Sequence, residues 1–225
     1  MAGVRSVMFR ESQWRPGGET ADAGTRDIAE LMGPDLDQWR SLRARSPAAA
    51  ARRLAGRAAV RDLVQEHDLF AWRGYEPTGR GRKPIFVGAR VDFSIAHSAD
   101  RMVVAIMEGG RIGVDIERVD SVFDSAALQR RMCSPTELTL VQALDPSARR
   151  RWLARLWTAK EAISKIDGRG LGCDFRSIEV LPPTTPLIPE DPFVAAIATR
   201  SSEAGRGLEV RHPVLTGSDN AQRAA

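Results

Sequence analysis

The 225-residue sequence predicts an α+β protein made of two halves, each a long helix followed by short strands. Three observations lead there. Apolar residues recur at helical spacing in two long segments, Ala48 to about Glu66 and Ala148 to Ile166. Strand-length apolar runs follow each segment. Gly109-Gly110 then marks a turn, and with it the boundary between a first half, residues 1–108, and a second, residues 109–215.

Gly3 to Arg10 reads as an opening strand, and the Gly-rich, polar stretch from Arg15 to Gly24 as a loop. Ser46-Pro47 suits an N-cap with proline in the first helical position. The helix after it carries Val60, Leu63 and Val64 on one face and Arg52, Arg53, Arg57 and Arg61 on the other. Gly74 to Pro84 reads as a loop ending in Arg82-Lys83-Pro84. Val91–Ile95 and Met102–Met107 are strand-length runs around His97-Ser98-Ala99-Asp100, and Ile112–Arg118 is a third strand. In the second half, helical segments are expected at Ser125–Arg131, Pro135–Ala143 and Ala148–Ile166, the last stopped by Gly168, Gly170 and Gly172. Strand-like runs follow at Phe175–Leu181, Phe193–Thr199 and Leu208–His212. The small, polar tail from Thr216 to Ala225 is expected to be disordered.

A hydrophobic fraction of 43% and a charged fraction of 28% are ordinary for a soluble globular protein. No apolar run approaches the roughly 20 residues of a membrane helix. Arg5, Arg10 and Glu11 interrupt the N-terminus where a signal peptide would be apolar. Cys133 and Cys173 are too few for a disulfide framework, and no Cys/His cluster has zinc spacing. A reducing, cytoplasmic setting is expected. The 33 basic residues against 29 acidic leave a net charge of +4, which suits nucleic acid, a phosphorylated cofactor or an acidic protein, or merely solvates the surface. Lysine is confined to Lys83, Lys160 and Lys165, and a compact ammonium differs chemically from a planar guanidinium.

In Gly113-Val114-Asp115-Ile116-Glu117, strand alternation sends Val114 and Ile116 to one face and Asp115 and Glu117 to the other. Neighbouring carboxylates on one pleat repel unless a cation sits between them, and hard divalent ions take such oxygen ligands. A solvated acidic strand face is the common alternative. In Trp157-Thr158-Ala159-Lys160-Glu161-Ala162-Ile163-Ser164-Lys165, the helical wheel puts Lys160 inside the apolar arc of Trp152, Leu153, Leu156, Trp157, Ile163 and Ile166. Glu161 and Lys165 lie together at its edge. They read as a surface pair worth a few tenths of a kcal/mol, or, with Lys160, as the wall of an anionic pocket. Lys160 could also extend its stem to water.

These segments resemble the Sfp-type 4′-phosphopantetheinyl transferases. That family carries, in order, G-K-P, F-N-x-S-H-S, G-[VI]-D-[VI]-E and W-[ST]-x-K-E-[AS]-x-x-K elements and then a Gly-rich turn. Here they read Arg82-Lys83-Pro84, Phe93-Ser94-Ile95-Ala96-His97-Ser98, Gly113 to Glu117, and Trp157 to Lys165 followed by Gly168-Arg169-Gly170-Leu171-Gly172. Two positions depart: Arg82 replaces the glycine of G-K-P, and Ala96 replaces the serine before the histidine, a hydroxyl that could touch phosphate.

The resemblance implies two pseudo-symmetric halves, each a long helix packed on a small antiparallel sheet, with the cofactor in the cleft between them. It implies transfer of the 4′-phosphopantetheine arm of coenzyme A to a serine of an acidic acyl- or peptidyl-carrier protein, with release of 3′,5′-ADP. It assigns Asp115, Glu117 and Glu161 to Mg²⁺, with Mn²⁺ as the alternative ion. It places Lys83, Pro84, His97, Ser98, Lys160 and Lys165 at the cofactor, with Arg52 near the adenosine 3′-phosphate and Arg53 as its substitute. Glu161, Lys165 and His97 are the implied catalytic groups, Glu161 or else His97 taking the serine proton. Val119 to Leu140 is the expected carrier surface, and a monomer the expected state. The two-half length favours the broad-range type serving polyketide or nonribosomal-peptide synthesis. Two rivals stand beside this reading: a catalytically impaired carrier-binding relative, suggested by Ala96, and a basic nucleic-acid-binding module, which would interleave aromatics with its arginines.

Overall fold

The computed structural model describes residues 7–13, 25–79, 82–166, 168, 172–180, 191–202, 207–215 and 220–224. Strand β1 (Val7–Gln13) is followed by helices α1 (Thr25–Met32), α2 (Leu36–Arg45) and α3 (Pro47–Glu66). A short hairpin pairs β2 (Tyr75–Glu76) with β3 (Ile85–Phe86), and β4 (Val91–Ser98), β5 (Arg101–Glu108) and β6 (Gly110–Arg118) succeed one another through tight turns. Helices α4 (Ala126–Met132), α5 (Pro135–Gln142) and α6 (Pro146–Ile166) precede β7 (Phe193–Ser201), β8 (Leu208–Arg211) and β9 (Asn220–Ala224).

The strands form two antiparallel sheets of order β4-β5-β1-β9 and β6-β7-β8, besides the β2-β3 hairpin. Their alternation builds a helix–sheet–sheet–helix stack. Phe93, Met102, Val104 and Ile106 face α3 and the helices beside it, while Ala96, Val103, Ala105 and Met107 face the second sheet. On β6, Ile112, Val114 and Ile116 meet the first sheet, with Phe193, Ala195 and Ile197 of β7 beside them. Ala196 and Ala198 turn the other way, onto Ala159, Ala162 and Ile163 of α6. The α+β class and the long helix on each sheet are therefore as the sequence predicts. The two sheets are wired differently: β1 pairs with the fourth strand after α3, whereas β6 pairs with the first after α6.

Local chemistry sets the element ends. Pro47 opens α3 behind Ser46, whose side chain makes no capping bond, so the proline and the alanine-rich first turns carry that start. Ser134 and Glu137 form a reciprocal capping box on α5, and Asp145 accepts the Ser147 and Ala148 amides at the start of α6. Gly109, at a φ of 69°, makes the left-handed turn from β5 into β6.

Four expectations change. No element is expected from the sequence where α1 and α2 stand, although Ile28, Leu31 and Met32 of α1 and Leu36, Trp39 and Leu42 of α2 recur at helical spacing and pack on the core. Phe175–Leu181 is not a strand: Phe175–Ser177 is a 3₁₀ turn, residues 178–180 have no regular structure, and Leu181 lies outside the described residues. Its main-chain groups go to side chains instead, the Phe175 carbonyl to Lys160 and the Val180 amide to Glu137. The tail, expected to be disordered, supplies β9 at the edge of the first sheet beside β1. Edge pairing uses main-chain groups, so a small, polar composition does not preclude it. The opening strand runs Val7–Gln13, and residues 3–6 and the loop at 15–24 lie outside the described residues.

Candidate active site

The site is set by one close contact. A β-carbon on Gly113 would stand 1.9 Å from the Ala162 carbonyl oxygen, so only glycine lets α6 lie this close on β6. The contact brings the last turns of α6 across the acidic pleat. Lys165 Nζ donates to Asp115 Oδ1 at 2.7 Å and to the Val114 carbonyl at 3.0 Å. Asp115 is thus paired with the Lys165 ammonium, whose charge also acts on Glu117 and Glu161.

All three carboxyls are weaker acids than usual, their pKa values raised. Burial raises Asp115, opposed by Lys165. Burial and then the Asp115 charge push Glu117 up to about 7, against hydrogen bonds from Ser98 and the Trp157 indole. Burial and then Asp115 raise Glu161. Asp115 Oδ2 is buried without a hydrogen-bond partner among the described residues, where an unmet acceptor costs about 1–3 kcal/mol. Crowded carboxylates with an unmet oxygen are the donor chemistry a hard divalent cation takes. In the state seen, Lys165 holds the other oxygen of Asp115, and no three metal-binding groups converge among the described residues. The residues fit such an ion in chemistry and require side-chain rotation to enclose it.

β4 runs beside β6 in parallel, and the seam is bridged by β4 side chains. The amides of Ile112, Val114 and Arg118 donate to Asp92 Oδ2, Ser94 Oγ and Ser98 Oγ at 2.7, 3.0 and 3.1 Å, each pair 20 residues apart. The ends of the seam also hold site residues. Ser98 Oγ donates to Glu117 Oε2 at 3.0 Å. Lys83 Nζ donates to Asp92 Oδ2 at 2.5 Å and to the Ile112 carbonyl. Burial, opposed by Asp92, lowers Lys83 to about 8. Successive same-side carbonyls of β6, Ile112 and Val114, therefore hold the two lysines.

Those lysines line a cavity of about 330 Å³ with Arg82, Pro84, Phe93, Ser94, Ile95 and Gly168. A larger cleft of about 560 Å³ shares Arg82, Pro84 and Ile95 with it and continues past His97 to Arg52, Arg53 and Arg57 on α3. Gly56 opens that floor, since a β-carbon there would come 2.9 Å from Ile95. Partial burial and then the charges of Arg52 and Lys165 lower the His97 pKa, keeping the ring neutral at pH 7. Arg53 and Arg57 both bond buried Asp35, Arg53 at 2.7 Å. Arg57 lies 4.2 Å from the Tyr75 ring centroid and, mainly through burial, falls to about 10. Arg57, Asp35 and Asp92 belong to this constellation, and sequence reasoning missed them. Arg57 is expected from the sequence on the basic face of α3, whereas it is buried with Val60 and Val64; the aspartates gave no signal.

Residues 111–200, which hold Asp115, Glu117, Glu161 and Lys165, match the 4′-phosphopantetheinyl transferase superfamily. A holo-[acyl-carrier-protein] synthase of Photobacterium profundum is 30% identical over 54% of this chain and 94% of its own length. The chain belongs to the 4′-phosphopantetheinyl transferase superfamily. The 4′-phosphopantetheinyl transferase HetI of a Nostoc species is 29% identical over 82% of this chain and 85% of its own length. The transferase Sfp of Bacillus subtilis is 32% identical over 39% of this chain and 38% of its own.

Among the residues placed at the cofactor by resemblance, Lys160 lines neither cavity, and Ser98 and Arg53 are bonded within the protein. Lys160 is fully buried away from both cavities, its ammonium donating to the Met132 carbonyl, Glu137 Oε2 and the Phe175 carbonyl at 2.7, 2.6 and 2.8 Å. It ties α5 and the Phe175 turn to α6, because a core ammonium must find acceptors and Glu137 supplies the counter-charge. Ser98 uses its hydroxyl on Glu117 and Arg118. Arg53 lines the cleft while bonded to Asp35. Ala96, the departure from the family pattern, is buried between the sheets, so a serine there would not reach the cleft. Arg169, Gly170 and Leu171 of the Gly-rich turn lie outside the described residues.

Proposed function

We propose that this chain transfers the 4′-phosphopantetheine arm of coenzyme A to a serine of an acidic acyl- or peptidyl-carrier protein, releasing 3′,5′-ADP. The observation that carries the reading is the pairing of Lys165 on α6 with Asp115 of the acidic β6 pleat, Lys165 also lining a cavity that continues into a cleft with a basic wall. That wall suits the phosphates of coenzyme A: Arg52 toward the adenosine end, His97 midway, Lys83 and Lys165 at the diphosphate. The serine oxygen attacks the β-phosphorus, the bond from that phosphorus to the bridging oxygen breaks, and the bridging oxygen leaves with 3′,5′-ADP. Glu161, its carboxyl raised by burial and by Asp115, accepts the serine proton. His97, neutral at pH 7, is the second group able to do so. Lys165 exchanges Asp115 for phosphate oxygens and stabilises charge developing there. Asp115, Glu117 and Glu161 would hold Mg²⁺, which when bound neutralises diphosphate charge as a Lewis acid.

Two features support this reading over its rivals. Ala96 lies between the sheets and subtracts no group from the cleft. Tyr75, Phe86 and Phe93 are buried in the core, which leaves them unable to stack on nucleobases. The segment from Val119 to Leu140 exposes Val122, Leu140, Arg130 and Arg131, a mix suited to an acidic carrier. The test is incubation with coenzyme A, Mg²⁺ and apo carrier proteins, then weighing the carrier. A phosphopantetheine-sized mass gain that Glu161→Ala abolishes is expected. No gain on any carrier tested, or full activity in Glu161→Ala, overturns the reading.

A further inference from the structure

We propose that Ser98 is a positioning residue that aims Glu117, acting through that carboxylate and not on the cofactor; the inference rests on the reading of Glu117 as a metal ligand. Ser98 ends the β4–β6 seam, and its hydroxyl is committed on both sides. The oxygen accepts the Arg118 amide at 3.1 Å, and its hydrogen goes to Glu117 Oε2 at 3.0 Å. A hydroxyl has one hydrogen, so this donation leaves none for a phosphate oxygen.

Glu117 is thereby held from two directions. Ser98 comes from β4 in the first sheet, and the Trp157 indole comes from α6. Two donors occupy two of roughly four lone-pair sites on a carboxylate and leave the rest for a cation. Hydrogen bonds of this kind orient ligating carboxylates, and their loss weakens metal binding by about 10–100-fold. Being bonded to the Arg118 amide, Ser98 also fixes Glu117 relative to its own strand.

Ser94 separates this role from a merely structural one. It makes the equivalent seam bond, accepting the Val114 amide at 3.0 Å, and no bond from its hydroxyl to a site carboxylate is seen among the described residues. The experiment titrates Mn²⁺ into the protein alone, read by electron paramagnetic resonance, for wild type, Ser98→Ala, Ser98→Thr and Ser94→Ala, with thermal melts confirming that each folds. Ser98→Ala is expected to weaken Mn²⁺ by about 10-fold or more, with Ser98→Thr retaining wild-type affinity. Ser94→Ala should melt earlier yet bind Mn²⁺ within about 2-fold of wild type, since its hydroxyl accepts the Val114 amide and bonds no site carboxylate among the described residues. Unchanged binding in Ser98→Ala, or an equal loss in Ser94→Ala, overturns the positioning role. A wild type that fails to bind Mn²⁺ at all overturns the metal reading, and this inference with it.

Discussion

Gly113 of β6 lies against Ala162 of α6 so closely that a β-carbon would stand 1.9 Å from the Ala162 carbonyl oxygen. The atom in the way is main chain, which cannot swing aside as a side-chain tip does. Gly113→Ala must push α6 off the sheet and carry Glu161 and Lys165 away from Asp115. We expect a stability loss of about 1–3 kcal/mol, the usual range for overpacking. Activity should fall by more than the fraction unfolded explains. Urea melts beside initial rates check both; an active, equally stable variant sinks this account of the site.

The burial of Lys160 makes a separate prediction. Removing one partner of a buried ion pair costs about 3–5 kcal/mol, so Lys160→Met should be strongly destabilised in urea by leaving Glu137 unpaired. Pairing it with Glu137→Gln should recover part of the loss. Whatever folded protein remains should show a wild-type KM for coenzyme A, because Lys160 lines neither cavity. A raised KM would return Lys160 to the cofactor.

The acidic cluster should couple metal binding to pH. Glu117 is held near 7 against an ordinary value of 4.5. A carboxyl raised on folding contributes stability below its unfolded pKa and loses it as pH rises through the folded one. Without metal, that contribution is therefore complete below about 4.5 and gone above about 7. A cation that replaces the proton acts where the proton is absent. Mg²⁺ should raise Tm clearly at about pH 8 and barely at about pH 5. Equal gains at both, by calorimetry, contradict the cluster as the ion's site.

Ala96 tests the seam. The 20-residue register that pairs Asp92, Ser94 and Ser98 with Ile112, Val114 and Arg118 sets Ala96 against the Ile116 amide. Ala96→Ser should offer that amide a second acceptor beside the Asp115 carboxylate, worth at most about 0.5–1.5 kcal/mol. The KM for coenzyme A should not change. A lower KM at constant Tm would place the hydroxyl on phosphate after all.

Much of the fold was legible because local rules sufficed. Periodicity located α3, α6 and the core strands to within a few residues, and alternation on β6 separated Asp115 and Glu117 from Val114 and Ile116. Where a segment's partners lie far along the chain, local rules fail. Nothing near Phe175 announces that Lys160 will take its carbonyl, and nothing in the tail announces the edge of β1.

By itself the sequence determined the class of fold, the acidic pleat and the order of the motifs, since these depend on neighbours one to four residues apart. Tertiary structure decided what each charge faces. It took Lys160 into the core, set Lys165 on Asp115, spent the hydroxyl of Ser98 on Glu117 and brought Asp92 to Lys83. Those outcomes turn on how closely two elements approach and which acceptors burial leaves unmet, and Gly113, where a single missing methyl group admits α6, is where that approach is set.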